Sequence, residues 1–348
     1  MRSGGTGAAG TVEPCQVREE AAIRQIFRAP PANLSGRIFI NSDMRHGDSG
    51  MADNKTPDFC VYDGSDYQKA FWDDANRAYE DKSEDLAFKK LLPKSGERML
   101  EIGAGAGRNT PRYDGYRKIY LFDYALTQMQ QAKQRLGGSD RLVFAAADVY
   151  HLPYNDNVFD GATMIRVIHH LSEIDPAMAE IQRVLEKDAT FILEFANKRN
   201  IKAILRYLTG KQKWNPFTKE QVEFVKLNYD NHPEAIRETL EAHGFTIERA
   251  LSVSNLRIGA LKNNPKNLGW MLKVEDVLQD ALSGVKLSPS VFLKCIQTTG
   301  THYDPTAPVF KCPACGSVRL DETKEAVRCP DCGRVYPIVD GIYNFRLE

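Results

Sequence analysis

The sequence predicts an α/β protein: a parallel sheet with helices on both faces, followed by a small C-terminal ribbon held by a metal. Three observations carry this. Between residues 98 and 196, short apolar runs alternate with stretches of helical spacing. Glycines and acids follow the apolar runs, at the strand ends where such sheets bind ligands. Two Cys-Pro-x-Cys-Gly pairs, at 312–316 and 329–333, close the chain.

The elements follow in order. Residues 1–50 include "MRSGGTGAAG", "APPANLSG" and "MRHGDSG" and have little apolar periodicity, so 1–58 is expected to be a disordered extension. "MADNKTPDF" at Met51 reads like a protein start, and the codons for Gly47-Asp48 can supply a purine-rich ribosome-binding signal; on that reading residues 1–50 are not native protein. Residues 66–92 have helical spacing, with Tyr67, Phe71, Trp72, Ala75 and Tyr79 on one side. Tyr67 and Trp72 either close over a ligand or belong to the core. Strands are expected at 98–103, 118–124, 141–149, 158–167, 189–196 and 288–299. Helices are expected at 125–138, 178–186 and 232–245, the first and last closed by glycine.

Composition excludes little but is useful. The 348 residues are 42% hydrophobic and 26% charged, with a formal net charge of zero, so any nucleic-acid surface must be local. No apolar run approaches a membrane span, and the first thirty residues lack the apolar core of a secretory signal. Of seven cysteines, four form the terminal pairs, while Cys15, Cys60 and Cys295 are scattered; a reducing cytoplasm is the expected compartment.

The strand ends carry the chemistry. "EIGAGAGRN" places Glu101, Gly103, Gly105 and Gly107 after the first strand; such a turn brings backbone close to a ligand. A dinucleotide fingerprint would need glycine where Arg108 stands, and a Walker loop is absent. Asp123, twenty residues beyond Gly103, suits a pair of ribose hydroxyls. Asp148 followed by Val149 suits the amino edge and face of adenine.

With these residues in view, 98–196 resembles a class I S-adenosylmethionine-dependent methyltransferase of the quinone-biosynthesis type. "LEIGAGAGR", "LFDYA", "AAADVYHLPYNDNVFDGATMIRVIHHL" and "AMAEIQRVLEKDATFILEF" match its successive motifs. Asp188-Ala189 departs from the Gly-Gly usual in that family's turn. The resemblance implies a Rossmann-like sheet and S-adenosylmethionine as cofactor. It implies that Glu101, Gly103, Gly105 and Gly107 line the methionine part, with Ala104 inside that turn. Asp123 and Tyr124 would hold the ribose side, Asp148 and Val149 the adenine, and Arg166 would face the sulfonium. An activated sulfonium needs alignment more than acid–base help. If a base is used, His169 and His170 in "VIHHL" are the candidates, with His151 behind them; the alternative is a histidine pair that packs or faces water. The absence of an Asn-Pro-Pro-Tyr motif argues against adenine N6 or glutamine as acceptor.

Residues 197–230 follow the fifth strand, where this fold often carries a lid. Within 198–219 lie seven Lys or Arg, no acid, and the aromatics Tyr207, Trp214 and Phe217. Two readings stand: a basic, aromatic cap for an anionic acceptor or RNA, or an amphipathic helix, "IKAILRYL", lying on the sheet.

The terminal cysteines, Cys312, Cys315, Cys329 and Cys332, have the spacing of a closed four-thiolate zinc site with no position left for water or substrate. Zn(2+) there would be structural. The segment "GRVYPIVDGIYNF" resembles the end of the small zinc-ribbon activator subunit of tRNA, rRNA and release-factor methyltransferases, with Tyr343 in place of the usual proline. This likeness covers 309–348 and implies a ribbon docked on the methyltransferase domain (59–300), through a strand such as "VYPIV" added to a sheet edge. The expected activity is methyl transfer from S-adenosylmethionine by in-line displacement to an unidentified acceptor. A small anionic or lipid-like acceptor and tRNA or another translation component are the two classes, with a non-catalytic binding module as the third reading. No obligate partner is evident.

Overall fold

The computed structural model describes Trp72, residues 77–225 and residues 227–347. The extension expected at 1–58, the start at Met51, Tyr67 and most of the first half of the helix expected over 66–92 lie outside the described residues.

The chain begins with α1 (Ala78–Leu91) and β1 (Gly96–Ile102). Then come β2 (Tyr116–Asp123), α2 (Leu126–Leu136), β3 (Leu142–Ala146), β4 (Phe159–Met164), α3 (Asp175–Val184) and β5 (Leu185–Ala196). The middle of the chain adds α4 (Ile201–Leu208), β6 (Val222–Val225), β7 (Asn228–Asp230), α5 (Pro233–Ala242) and β8 (Phe245–Val253). A helix, α6 (Leu268–Ala281), and β9 (Ser290–Gln297) complete the large domain. The ribbon holds β10 (Asp321–Glu322), β11 (Ala326–Arg328), β12 (Val335–Val339) and β13 (Ile342–Asn344).

Eleven strands form one sheet in the order β10-β11-β12-β13-β3-β2-β1-β4-β5-β9-β8. The stretch from β13 to β5 is parallel. Its central strands are buried on both faces, which is why they read as continuous apolar runs. Alternate residues split between two cores: Leu100, Ile102, Tyr120 and Phe122 on one face, Met99, Ile119 and Leu121 on the other.

The parallel sheet expected from alternation is corrected at its far end, where β9 runs antiparallel to both β5 and β8. Val253, the last residue of β8, pairs with Ser290, the first of β9. The link between them therefore leaves and returns at one end of the sheet, and β9 has to run backwards.

The ribbon continues the sheet. Ile342, Tyr343 and Asn344 pair with Phe144, Ala145 and Ala146 of β3, and the Phe345 amide donates to the Ala146 carbonyl at 2.8 Å. The docking strand is thus β13; "VYPIV" is β12, which pairs inside the ribbon with β11 and hands the chain to β13. Tyr343, standing where proline was expected, packs 4.8 Å from the Phe310 ring and stacks on Phe345. Cys312, Val327, Cys329, Tyr336 and Phe345 belong to the same buried cluster as Leu100.

Asp188 takes a left-handed φ of 66°, at the place where glycine was expected. The helix α4 does not lie with its apolar side on the sheet. Ile201, Leu205 and Leu208 are 45%, 55% and 70% exposed, and Ala203 is its buried residue.

Candidate active site

At the end of β1 the chain must turn sharply under the end of β2. Gly103 does so with φ 70°, and the amides of Gly103 and Ala104 both donate to the Phe122 carbonyl, at 2.8 and 2.9 Å. Gly105, at φ 52°, sends its amide to Asp123 Oδ2 at 2.9 Å, while Oδ1 accepts the Ala125 amide at 3.0 Å. The turn and the acid beyond the second strand are therefore one hydrogen-bonded unit. Above them opens a solvent-connected cavity.

Gly103, Ala104, Gly105, Asp123, Tyr124, Val149, Arg166 and His170 all line this cavity. The remaining residues proposed from sequence stand behind the wall. Gly107 packs against α2, where a Cβ would lie 2.6 Å from Leu136 Cδ1. The Asp148 carboxylate accepts the Tyr150 amide at 2.9 Å and faces His151 Nδ1 at 3.6 Å, which holds that imidazole above its usual pKa. Glu101 is buried beneath the turn and receives the Thr110 hydroxyl at 2.6 Å. Burial outweighs that bond and pushes its carboxyl up to about 8.

Arg166 has a left-handed φ of 61°. Its amide donates to buried Glu194 at 2.9 Å, and its guanidinium reaches Glu84 on α1 at 2.6 Å. Arg108 takes the other oxygen of Glu84, also at 2.6 Å, and Asp81. Burial pushes the Glu84 carboxyl up, but the Arg108 and Arg166 guanidiniums prevail and hold it below the usual range. Trp72 lies under both cations, 3.6 Å from Arg108 and 4.8 Å from Arg166. Arg112 also pairs with Asp81 and Asp85, so three cations meet three acids here, and the Arg166 charge is met by the Glu84 carboxylate.

His170 sits on the cavity wall with Nδ1 3.2 Å from the Leu227 carbonyl. That carbonyl favours the tautomer with its proton on Nδ1. Burial pushes the imidazole down to about 4, so it is neutral near pH 7. His169, 4.2 Å away ring to ring, is off the cavity lining, and burial holds it well below its usual pKa. Neither is a strong base.

Sequence reasoning passed over Arg108 except as a departure from a dinucleotide motif. Asp81 and Glu84, three residues apart on one face of α1, were the available signal for its partners. Ile165, Val167 and Leu171 also line the cavity and make that side apolar.

The four terminal cysteines converge, with all Sγ atoms within 4.8 Å of one another. The cross-pair distances are 3.7 Å for Cys312–Cys332 and 3.6 Å for Cys315–Cys329. Thiolates at zinc–sulfur distance on a tetrahedron stand about 3.8 Å apart, so the set fits the metal. Gly316 and Gly333, both left-handed, turn their amides back to the Cys312 and Cys329 carbonyls at 2.8 and 2.9 Å. None of the four lines the cavity.

Glu101 gives a pH signature. Its folded pKa of about 8 stands above the ordinary value of 4.5, so between these values the folded chain holds the extra proton. The stability this proton lends is complete below the lower value and is lost as pH rises through the upper one. The variant Glu101→Gln keeps the neutral form throughout. Its melting temperature is expected to gain on the wild type steadily from about pH 5 to about pH 8. Parallel melting curves across that range would remove the buried acid from the account.

Comparison with known proteins places these features. Residues 100–193 match the family described as a methyltransferase domain, and residues 305–341 match the Trm112p-like protein family. A 2-phytyl-1,4-naphtoquinone methyltransferase of Nostoc punctiforme is 25% identical, over 41% of this chain and 75% of its own length. A malonyl-[acyl-carrier protein] O-methyltransferase of Geobacter sulfurreducens is 37% identical, over 27% of this chain and 36% of its own. Among solved structures, a chain from a complex between the Haloferax volcanii Trm112 methyltransferase activator and a methyltransferase is 16% identical. It aligns with a TM-score of 0.48, covering 69% of this chain and 100% of that one. The glycine turn, the cavity at the strand ends and the two family matches agree: residues 100–193 carry a methyltransferase domain of the S-adenosylmethionine-dependent type, and a Trm112p-like domain follows it at residues 305–341.

Proposed function

We propose that this enzyme methylates a small acceptor with an apolar or aromatic body. The observation that carries this reading is the acceptor side of the cavity. Ile165, Val167 and Leu171 are apolar, His170 is neutral, and the nearby charges are spent on one another. Two of the relatives named above act, by name, on a naphthoquinone and on a carrier-bound malonyl group.

When bound, S-adenosylmethionine supplies a methyl group already activated on a sulfonium. Gly105 fits the cofactor: a Cβ there would enter open space, its nearest neighbour Gln128 Oε1 at 3.8 Å. In our assignment the Gly103–Gly105 backbone holds the methionine part and Asp123 accepts from the ribose. Tyr124 and Val149 flank the base. Glu101, Gly107 and Asp148 shape the wall from behind. Arg166, neutralised by Glu84, holds the sulfonium end in shape without repelling it. The protein's part is alignment and water exclusion. His170 on the cavity wall is neutral near pH 7, and an acidic phenol or enol needs no strong base.

We assign transfer to residues 59–300, with 197–230 as the insert beside the acceptor wall, and a structural zinc to the thiolates of 309–348. Reduced thiolates suit a cytoplasmic setting. A second reading has its own observation: the Trm112p-like match favours tRNA or another translation component as acceptor, with the ribbon as a built-in activator.

Incubation with methyl-labelled cofactor and fractionated cell extract separates these. Label in organic-soluble material is the expected result. Label in RNA or protein would replace the first reading with the second. Cofactor binding with no label in any fraction would leave a binding module.

A further inference from the structure

From the surface around α4 we infer that this enzyme docks on an anionic lipid surface. Ile201, Leu205 and Leu208 recur at helical spacing and so share one side of α4, and all three face outward. On α6, Trp270, Val274 and Val277 repeat the spacing, at 45%, 40% and 66% exposure. The connections on either side of α6 reach α4 and the residues just before it. Lys202 Nζ donates to the Arg257 carbonyl at 2.7 Å, Arg199 to that of Val285 at 2.9 Å, and the Ile201 amide to that of Leu287 at 2.9 Å. The segment carrying α6 thus starts and ends beside α4.

Single exposed apolar residues need no explanation; two outward stripes on adjoining segments do. Charge identifies the occupant. Residues 198–219 hold no acid; Lys198 is buried and Lys219 pairs with Glu238, while Lys202, Arg206, Lys211 and Lys213 are exposed. Lys211 and Lys213 stand just beyond the end of α4. Aliphatic side chains flanked by Lys and Arg are the pattern of a helix lying in a membrane interface, and an indole such as Trp270 suits the same depth. An RNA surface would need the cations but gains little from exposed isoleucine and leucine. No described helix is long and apolar enough to cross a membrane, so contact is from one side.

The surface is connected to the cavity. Buried Lys198 ties the insert's start to its far end, through the Thr218 and Glu220 carbonyls at 2.9 and 2.6 Å. Beyond that point Gln221 reaches the Ser172 carbonyl, next to Leu171 of the acceptor wall, at 3.0 Å. A membrane-held acceptor would meet the cavity where the protein meets the lipid. The docking itself does not depend on which acceptor is used.

The test mixes the full chain, without acceptor, with vesicles of equal parts phosphatidylcholine and phosphatidylglycerol. The protein is expected to sediment with these vesicles, to be released by salt, and to ignore vesicles of phosphatidylcholine alone. Leu205→Glu combined with Leu208→Glu is expected to weaken binding about tenfold or more. Both positions are exposed, so the melting temperature should hold. Lys211→Glu with Lys213→Glu should weaken binding in a salt-dependent way. Absence of vesicle binding overturns the inference, as does binding indifferent to the leucine variant. So does a patch that instead retains total tRNA or dimerises the chain.

Discussion

Replacing Cys312 with serine is expected to unfold the ribbon and, with it, to destabilise the whole molecule. The ribbon's strands are two to five residues long and bury little of their own. Its order rests on the four thiolates and on the core it shares with the large domain. A structural zinc site contributes on the order of 10 kcal/mol or more to the folding of so small a unit. That is comparable with the entire net stability of a domain, about 5–15 kcal/mol. Two consequences reach the methyltransferase domain. β13 covers β3, so its loss opens a row of unpaired amides and carbonyls to aggregation. Phe310, which stacks on Tyr154 at 5.5 Å, also leaves that core ring without part of its packing.

The measurement is thermal melting with light scattering, alongside zinc content. The variant, or wild type treated with a strong chelator, should melt well below the zinc-loaded protein and scatter light. Full thermal stability in a metal-free variant would show that the clamp is dispensable for the fold. Removing 309–348 should likewise lower solubility. The structure adds a reason for cofactor affinity to fall with it: the Arg346 guanidinium stands 5.7 Å over the ring of Tyr124, on the cavity wall.

What was legible in the sequence follows from what each residue has to do locally. β1 to β5 are buried on both faces, so their apolar runs stand out whatever the topology. The glycine turn, Asp123 and the cysteine pairs were legible because each demands a residue type that nothing else replaces. Strand direction was not, because β9 has the same β-branched and apolar content as a parallel strand; only its pairing with the end of β8 reverses it. The helix α6 was missed because Trp270, Val274 and Val277 face outward while Met271, Glu275 and Gln279 face in, which inverts the amphipathic signal. Glu275 is buried because the Tyr79 hydroxyl and the Ser254 amide reach it, both at 2.7 Å, and no local pattern announces partners 196 and 21 residues away. In the site, glycine and acid positions were readable, but which of them face the cavity was not. Glu101 and Asp148 are carboxylates at strand ends like Asp123, yet their nearest donors, Thr110 and the Tyr150 amide, turn them into the wall.

The glycines of the turn allow the fold and the binding site to be separated. Gly103→Ala is expected to damage both. At φ 70° an alanine costs roughly 1–2 kcal/mol of backbone strain. Its Cβ would stand 2.1 Å from Val167 Cγ2 and 3.3 Å from Val167 Cβ, so β1 or the residues after β4 must shift, for about 1–3 kcal/mol more. A shift there pulls on the paired amides of Gly103 and Ala104 and on Arg166 next to Val167. The variant should melt several degrees lower and bind S-adenosylmethionine more than about tenfold less tightly. Gly105→Ala carries similar strain at φ 52° but meets nothing closer than Gln128 Oε1 at 3.8 Å. Its methyl group points into the cavity, so it should melt much closer to wild type while losing the cofactor as severely. Calorimetric titration with S-adenosylmethionine beside thermal melting reads both quantities. Normal cofactor affinity in Gly105→Ala would mean that the cofactor does not lie against this turn, and the assignment of the cavity would have to move.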